Sequence, residues 1–454
     1  MDEEKMVEWL KKEVLAVLNS PADMGAIEKA LDRACMEIRR KALELIAKES
    51  AKQAPFVCPE CNERLNAAAY NRKRTVNAAF GKISYERDYG FCPLCLEYFY
   101  PADLMLGMAE RATASPRIQE CCSLMALHGP AGRLKDDLRR LTGIDICTST
   151  IHREARRQGD RALLLRDIDE QLTQSSEGIA MLSSRANTSQ TPFTLIIEID
   201  AWNIRERDNW GKTKKLRLAG KDTERWHWVY TGTVFRLDQR GTTASGRPVI
   251  SERGYVATRK GIESFQRQLY AEALQRGLSS AKIVLIIADG AVWIWRLADD
   301  RFKGAIQQLD LYHAEEHLWN LAHELYGHGS LEATEWVKPY INWLKNRKDG
   351  ALDVISNFKQ MHKTIENITE KQQEAIEREV NYFTEHKDRM DYKTAKSLGH
   401  PLGSGAIEST CSQYQRRFKL TGQFWSLAGD EAFLALSTIH RNNRWHQLFP
   451  HDTR

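Results

Sequence analysis

The chain has 454 residues, of which 66 are basic and 61 acidic, so its formal net charge is only +5. A global charge that small is not a nucleic-acid signal, and any basic surface must be local. The hydrophobic content of 42% is ordinary for a globular chain, and no stretch approaches the roughly 20 apolar residues of a membrane span. The acidic start, Met1-Asp2-Glu3-Glu4-Lys5, lacks the apolar core of a signal peptide, so we expect a cytoplasmic location and no membrane partner.

The first segment, residues 1–54, has the pattern of an N-terminal helical region. Apolar residues from Met6 to Leu18 recur with the 3.6-residue period of a helix, and Ser20-Pro21 interrupts the pattern. Ile27 to Ala51 resumes it as a second, charged helix. These two helices predict a hairpin that packs or dimerises.

Two Cys-x-x-Cys pairs follow, Cys58 with Cys61 and, after 30 intervening residues, Cys92 with Cys95. Two such pairs around alternating strands predict a zinc ribbon over residues 55–110, with free thiols or two disulfides as the alternatives. Four cysteine ligands leave no open coordination position, so the Zn²⁺ is expected to be structural. The remaining five cysteines have no ligand spacing and are expected to be buried small side chains: Cys35, Cys121, Cys122, Cys147 and Cys411.

Residues 111–175 are predicted to be helical and to form a DNA-binding region. One helix covers Pro130 to Leu141, a short glycine-containing turn follows, and Ser149-Thr150 offers an N-cap for a second helix from Ile151 to Leu164. This layout resembles a helix-turn-helix, although an ordinary charged surface helix is the alternative. Its second helix carries a stripe of candidate DNA-binding side chains: Arg153, Arg156, Arg157 and Arg161.

Two apolar runs in the next part of the chain end in aspartate. After a polar stretch at 175–193, which predicts a loop and the main domain boundary, one run begins at Thr194 and reaches Asp200. A second run begins at Ile283 and reaches Asp289, and both have the composition of buried strands. Buried carboxylates are unfavourable unless paired, protonated or metal-bound, and like charges repel. Two that meet at one sheet edge therefore predict a divalent cation between them.

The order of the elements around these runs predicts a ribonuclease-H-like (RNase H-like) fold. Further strands are predicted at Trp228–Leu237, Val249–Thr258 and Ala305–Asp310, helices at Gly261–Gln275 and Val292–Leu297, and a basic loop at Lys212–Arg225. In that fold the first strand pairs with both an antiparallel and a parallel neighbour, which makes Asp200 and Asp289 neighbours. The predicted class is multidomain α+β, with RNase H-like core at 193–312, an all-helical insertion at 313–397 and the last core helices at 398–454.

The final predicted helix, Ala406 to Lys419, carries Glu408 in its first turn. A helix N-terminus stabilises a carboxylate, which is a sufficient explanation for Glu408 alone. Beside two strand-end aspartates it becomes a candidate third metal ligand. The same helix carries candidate phosphate contacts at Arg416, Arg417 and Lys419.

In combination these motifs resemble bacterial DDE transposases, most closely the ISKra group of insertion-sequence transposases, which is related to the Mutator-like superfamily. The resemblance covers about residues 55–445. It is carried by the two strand-end aspartates, by Asp310-Leu311-Tyr312-His313, by Gly403-Ser404-Gly405-Ala406-Ile407-Glu408 and by Trp425 downstream. It implies that Asp200, Asp289 and Glu408 form a catalytic triad, and that Asp310 and His313 are an auxiliary pair near the active site.

The activity implied by the resemblance is transposition, which requires phosphodiester hydrolysis at transposon ends and strand transfer into target DNA. Two Mg²⁺ (or Mn²⁺) ions about 3.5–4 Å apart would activate the attacking oxygen and stabilise the leaving one. The implied partner is double-stranded DNA, and synapsis of two ends implies a homodimer or larger assembly.

Several alternatives stay open at this point. Glu198 shares a strand face with Asp200 and is also a candidate ligand, and Asp310 ends a strand and is an alternative to Asp289. An RNase H-like nuclease without joining activity and an inactive DNA-binding regulator derived from a transposase are the alternative functions.

Overall fold

The computed structural model describes residues 7–9, 11–12, 15, 23–187, 191–207, 211–364 and 368–450. The chain divides into two compact units, one extending to Asp160 and including the segment from His446, the other comprising Arg161–Trp445. Most of the first predicted helix, Met6 to Leu18, lies outside the described residues. Within the described ranges, no helix has both the length and the apolar character needed to cross a membrane.

The first unit begins with a long helix and a small antiparallel sheet. Helix α1 (Met24–Gln53) is followed by strands β1 (Asn66–Ala78), β2 (Gly81–Phe91) and β3 (Tyr98–Phe99), in the sheet order β1-β2-β3. A shared core joins the helix to the hairpin and includes Ala47, Val76, Ile83 and Tyr85. The hairpin predicted between the two cysteine pairs is therefore present.

Short helices complete this unit. They are α2 (Pro101–Met105), α3 (Pro116–Ala126), α4 (Ala131–Thr142) and the start of α5 (Thr148–Leu172). Ile118, Cys122, Leu138 and Ile151 lie in one core cluster, so α3, α4 and α5 pack together. The predicted N-cap of α5 is wrong, because the amides of Thr150 and Ile151 already donate to the Cys147 carbonyl and the helix begins at Thr148.

The second unit has a five-stranded mixed sheet surrounded by helices. Its strands are β4 (Thr194–Glu206), β5 (Arg225–Arg236), β8 (Gly254–Thr258), β9 (Ile283–Ala288) and β10 (Ile306–Leu309), with β6 (Arg240–Thr242) and β7 (Pro248–Ile250) in a separate pair. Its helices are α6 (Ser176–Ser183), α7 (Thr213–Leu218), α8 (Ile262–Gln275), α9 (Val292–Arg301), α10 (Leu311–Tyr326), α11 (Leu331–Asn346), α12 (Gly350–Thr364), α13 (Glu370–His386), α14 (Tyr392–Ser397), α15 (Gly405–Phe418) and α16 (Leu427–Arg441).

The sheet order is β10-β9-β4-β5-β8, with β4 at the centre. Strand β4 pairs antiparallel with β5 and parallel with β9, β5 pairs antiparallel with β8, and β9 pairs parallel with β10. Alternate residues of β4 pack into two different clusters, Leu195 and Ile197 into one and Ile196 into the other. Both faces of the sheet are thus covered, which explains why these strands read as continuous apolar runs.

Three sequence predictions in this unit are wrong in detail. The polar stretch 175–193 contains helix α6, because Ser175 caps it by accepting from the Gly178 amide at 3.0 Å and Leu182 is buried. The strand predicted from Val249 to Thr258 is two strands, β7 and β8, which belong to different sheets. The loop predicted at Lys212–Arg225 contains the short helix α7.

The five cysteines without ligand spacing do not share one environment. Cys122 and Cys411 are buried, as expected, and Cys121 is partly buried. Cys35 and Cys147 are exposed, so the prediction for these two is wrong. Cys35 lies on a helix that packs along one face only, and Cys147 ends a connection, where its sulfur lies 3.1 Å from the Ser149 hydroxyl.

Candidate functional site

The four spaced cysteines converge at one point of the first unit. The ligand atoms of Cys58, Cys61, Cys92 and Cys95 all lie within 4.8 Å of one another. The sulfurs of Cys58 and Cys95 are 3.7 Å apart, and those of Cys61 and Cys92 are 3.4 Å apart. A tetrahedral zinc site with Zn–S bonds of about 2.3 Å places its sulfurs about 3.8 Å apart. The cluster therefore fits a metal such as zinc, with all four positions filled by protein.

The strand register of the second unit aligns the predicted carboxylates. In the parallel pair β4–β9, Glu198 is opposite Ile287, so the same register continued by two residues sets Asp200 beside Asp289. In the pair β9–β10, Leu309 is opposite Ala288, and the Asp310 amide donates to the Ala288 carbonyl at 2.8 Å. Strands β9 and β10 are therefore each followed directly by an aspartate. The predicted strand end at Asp200 is wrong, because β4 continues to Glu206 through its pairing with β5.

Asp200 and Asp289 are the open members of these three aspartates, since both are only partly buried. Burial raises the pKa of Asp200, and the negative charge of Asp289 raises it further. Asp289 Oδ1 accepts from the Ala291 amide at 3.0 Å, while its other oxygen has no hydrogen-bond partner among the described residues. Gly290 has a φ of +102°, a conformation that glycine adopts without strain, so the chain turns directly after Asp289.

Asp310, by contrast, is fully buried and bound on both oxygens. Its Oδ1 accepts from the Tyr312 amide at 2.8 Å, and its Oδ2 accepts from the amide and hydroxyl of Ser404 and lies 3.3 Å from His313 Nδ1. Burial alone would raise the pKa of Asp310, but the bonds from His313 and Ser404 outweigh it and lower the pKa. Asp310 thus caps α10 and fixes the loop before α15.

His313 is held at the same edge as a cation. Its hydrogen bond with Asp310 raises the pKa of His313 to about 9, against the opposing effect of burial, and the charge of Asp289 adds to the rise. The imidazole is therefore protonated at neutral pH. The positive charge of His313 also acts on Asp200, whose pKa it lowers slightly.

Glu198 has a different task from the ligand role considered above. It is buried, and its Oε2 accepts from the Ile407 amide in the first turn of α15 at 2.8 Å, an amide that also donates to the Ser404 carbonyl at 3.0 Å. Arg253 donates to the Ala406 carbonyl at 3.3 Å beside it. Burial raises the pKa of Glu198 to about 8, although the Ile407 amide and the Arg253 charge oppose the rise. Glu198 therefore attaches α15 to the central strand.

Helix α15 carries Glu408, which is exposed in its first turn as predicted. One turn later, buried Cys411 lies beside Asp200: burial and the Asp200 charge raise the pKa of the Cys411 thiol, and Glu408 contributes to the rise. Glu408 and Asp200 thus act on the same thiol from two elements. The helical spacing of Glu408 and Cys411 is visible in the sequence and indicates that these two side chains are neighbours on α15. Their proximity to Asp200 has no such local signal.

Asp200, Asp289 and Glu408 do not form one compact group of metal-binding atoms in this structure. Among the described residues, the four cysteines are the only group of three or more metal-binding side chains whose ligand atoms all lie within 4.8 Å of one another. At least one separation among the Asp200, Asp289 and Glu408 carboxylates therefore exceeds 4.8 Å.

The helical segment between β10 and α15 begins and ends at one place. The Leu311 amide donates to the Leu402 carbonyl at 3.0 Å, beside the contacts between Asp310 and Ser404. The segment also brings Tyr382 near the edge, where burial and then the Asp289 charge raise the pKa of its phenol. Tyr382 stacks on His317, which contacts Glu379 at 2.6 Å, so His317 is packed against its neighbours.

The arginine stripe of α5 has local partners in the first unit. Arg156 contacts Asp160 at 2.8 Å, and Arg157 lies 3.6 Å from buried Glu154. Arg153 contacts Glu154 at 3.3 Å and also donates to Thr113. Burial lowers the pKa of Arg161. These ion pairs reduce the net charge that the stripe presents.

The three basic residues near the end of α15 differ in exposure. Arg416 is exposed. The Arg417 guanidinium lies 5.0 Å from the centre of the Trp425 ring, and burial lowers its pKa to about 10. Lys419 lies 5.5 Å from the Trp202 ring. Arg416 and Lys419 are thus the two that are exposed to solvent, whereas Arg417 is partly buried.

Comparison with known proteins adds no family to these observations. No protein-family model matches this chain, and no curated protein sequence is significantly similar to it. The function must therefore be argued from the two sites themselves.

Proposed function

We propose that this protein is a DNA transposase of the DDE type, which binds transposon ends and carries out metal-dependent phosphodiester hydrolysis and strand transfer. The observation that carries the proposal is the parallel pairing of β4 with β9, which ends at Glu198 opposite Ile287, two residues before Asp200 and Asp289. The two carboxylates are near enough for the charge of Asp289 to raise the pKa of Asp200. The mixed order β10-β9-β4-β5-β8 supports an RNase H-like core, because the first strand has both an antiparallel and a parallel neighbour.

Asp200, Asp289 and Glu408 would hold Mg²⁺ or Mn²⁺, hard cations that prefer carboxylate oxygens. Two bound ions would supply an activated attacking oxygen and a stabilised leaving oxygen. Asp200 is the candidate bridging ligand. Because Asp310 is bound on both oxygens, we assign Asp289 rather than Asp310 as the second carboxylate.

The surrounding residues orient this set. Glu198 fixes the first turn of α15 and so the position of Glu408, while Asp310 fixes the loop before it. Protonated His313 places a positive charge beside Asp289, where it would attract the DNA phosphate. The four-cysteine cluster and the α3–α5 helices of the first unit are the proposed DNA-end-binding elements, and synapsis of two ends requires at least a dimer.

The test compares purified full-length variants in a strand-transfer assay with linear transposon ends and a supercoiled target plasmid. Asp200→Asn, Asp289→Asn and Glu408→Gln are each expected to abolish cleavage and joining in Mg²⁺ while end binding persists. Glu332→Gln is the matched control for Glu408→Gln, because Glu332 is also an exposed glutamate in the first turn of a helix. Full activity in any of the three variants would contradict the assignment.

The same assay separates the alternatives. Cut products without joined products would identify a nuclease, and no cleavage in either Mg²⁺ or Mn²⁺ would identify a DNA-binding regulator. Manganese binding, followed by electron paramagnetic resonance, gives a readout independent of activity: Asp289→Asn is expected to weaken it. Loss in Asp310→Asn alone would transfer the ligand role to Asp310.

A further inference from the structure

The β4–β5 hairpin extends well beyond the five-stranded sheet. Strand β9 pairs with β4 only as far as Glu198, whereas β4 continues to Glu206 and stays paired with β5, down to Arg225. Strand β8 accompanies β5 only from Tyr230 onward. We call residues 201–207 and 211–228 the hairpin tip.

Two large aromatic side chains are exposed on this tip. Trp226 is 61% exposed and Trp228 is 54% exposed. They are opposite Arg205 and Asn203 in the hairpin, so all four side chains lie on one face, which is opposite to the face of Asp200. Residues two apart on a strand are about 7 Å apart, so the two indoles form one apolar patch. This patch is not covered by other described residues of the second unit, and exposed apolar patches often mark binding surfaces.

The hairpin tip is also strongly basic. It carries eight basic and three acidic side chains, an excess of five, whereas the entire chain has a net charge of only +5. Lys212, Lys214, Lys215 and Lys221 are exposed and have no acidic partner among the described residues. Three arginines, Arg205, Arg207 and Arg217, share the single carboxylate of Glu224.

The base of the tip is held in place. The Arg207 amide donates to the Trp425 carbonyl at 2.9 Å, and the Trp425 amide donates to the Arg205 carbonyl at 3.1 Å. The Phe424 ring lies 3.5 Å from the Arg207 guanidinium and 4.7 Å from that of Arg205. The tip thus combines exposed aromatic rings with lysines that have no acidic partner in the described part of the chain, and its base is fixed. Exposed rings and cations together are typical of surfaces that recognise single-stranded nucleic acid, since rings stack on bases and cations contact phosphates.

We propose that the hairpin tip binds unpaired DNA: Trp226 and Trp228 stack on bases, and Lys214, Lys215 and the neighbouring basic side chains contact the phosphates. In duplex DNA the faces of the bases are stacked on one another and are not accessible to the indoles. The exposed rings are therefore better suited to an unpaired strand than to a duplex. The inference goes beyond the proposed catalysis and does not depend on it, because these residues lie on the opposite face from Asp200.

The first experiment measures binding of the full-length protein to fluorescein-labelled oligo(dT) of 20 nucleotides and to a duplex of equal length, with EDTA present so that no metal-dependent cleavage occurs. The double variant Trp226→Ala/Trp228→Ala is expected to weaken oligo(dT) binding at least tenfold and duplex binding much less. Trp226→Phe/Trp228→Phe keeps two rings and should retain most of the affinity. Leu218→Ala, which removes an 81%-exposed apolar side chain from the same tip, is the matched control and should have no effect.

Salt dependence tests the phosphate contacts. Lys214→Gln/Lys215→Gln is expected to reduce the slope of log K against log salt for oligo(dT) by about 1.4, because each phosphate contact to a single strand contributes about 0.7. An unchanged slope would contradict the assignment of the lysines.

Photocrosslinking of wild-type protein to a bromodeoxyuridine oligonucleotide avoids any effect of the variants on folding. Crosslinks mapped by mass spectrometry to the peptide with Trp226 and Trp228 are expected. The proposal is overturned if crosslinks map only elsewhere, or if the alanine variant weakens duplex and oligo(dT) binding equally. It is also overturned if that variant leaves both affinities unchanged but shifts the oligomeric state in sedimentation, because the patch would then contact a second copy of the chain.

Discussion

The cysteine cluster and the carboxylate edge are two differently built sites in one chain. The cluster takes its four ligands from two short motifs joined by one hairpin, and all four sulfurs point at one centre. The edge takes its carboxylates from β4, β9, β10 and α15, and two of them are used by the protein itself: Glu198 attaches α15 and Asp310 fixes a loop. The cluster is complete without a substrate, whereas the edge leaves Asp200, Asp289 and Glu408 open.

The largest effect is expected from removing one cysteine ligand. Cys92→Ser should lower the zinc content from one ion per chain to none and expose the amides of β1 and β2 to hydrogen exchange. Structural zinc in small domains contributes about 10–16 kcal/mol of binding free energy to folding. Metal analysis and hydrogen-exchange mass spectrometry measure both changes. Cys147→Ser, at an exposed cysteine outside the cluster, is the control, and a Cys92→Ser protein that retains its zinc would contradict the assignment.

The next effect concerns Glu198 and pH. Because its pKa rises from 4.5 to about 8 on folding, the folded state binds the proton more tightly. The contribution of Glu198 to stability is therefore fully present below pH 4.5 and is lost as the pH rises through about 8. Glu198→Gln keeps an oxygen for the Ile407 amide but cannot ionise. It should be more stable than wild type by an amount on the order of 4 kcal/mol at pH 8.5, and by less than about 1 kcal/mol at pH 5.

Urea denaturation at the two pH values measures this difference. Other groups titrate in the same range, but they are common to both proteins, so the comparison isolates Glu198. A stability difference that does not change between pH 5 and pH 8.5 would show that Glu198 is already ionised in the folded protein.

A smaller loss of stability is expected for Asp310→Asn. The asparagine amide would face the Ser404 and His313 donors, and hydrogen bonds to a charged group contribute about 1.5–3 kcal/mol each. We therefore expect a loss of about 2 kcal/mol or more in the free energy of unfolding at pH 7, measured by urea denaturation. An unchanged midpoint would mean that Asp310 is not a structural anchor.

The smallest effect is expected for Asp289→Asn. Asp289 is partly exposed and repels Asp200, so its neutralisation should change the free energy of unfolding by less than about 1 kcal/mol, with either no change or a small gain. The pair Asp289→Asn and Asp310→Asn, measured under identical conditions, distinguishes an open carboxylate from a bound one. Equal losses in the two variants would remove the distinction on which the assignment of Asp289 depends.

Local patterns predicted the parts of the fold that depend on neighbours in sequence. The four cysteines were found from two Cys-x-x-Cys spacings, and the buried strands that contain Asp200 or precede Asp289 from short apolar runs, because both signals lie within a few residues. The end of the first strand was predicted at Asp200, too early, because its continuation to Glu206 depends on pairing with β5. The pairing of β4 with an antiparallel β5 and a parallel β9 also followed from the order of elements. The position of Glu408 in a first helical turn followed from the glycine-rich loop before it.

The tasks of Glu198 and Asp310 could not be predicted in the same way. Their partners, the Ile407 amide and Ser404, are 209 and 94 residues away, and no periodicity connects them. The break between β7 and β8 was missed because only three residues, Ser251 to Arg253, separate two stretches that each have the composition of a strand. Helix α6 was missed because its polar residues form its cap and exposed side, and only buried Leu182 reveals its packing.

The joined ends of the helical segment, where Leu311 meets Leu402 and Asp310 meets Ser404, make that segment a closed excursion from the sheet. In topological terms the segment is an insertion, since a short linker between the two anchor points would preserve the strand order. A longer insertion costs only slightly more loop-closure entropy than a short one. In physical terms it is not separable, because one continuous apolar cluster joins Ile197 and Ile286 of the sheet to Phe358 and Phe383 of the segment. In homologous proteins we therefore expect the length of this helical segment to vary at its outer turns, while the apolar surface that covers the strands is kept.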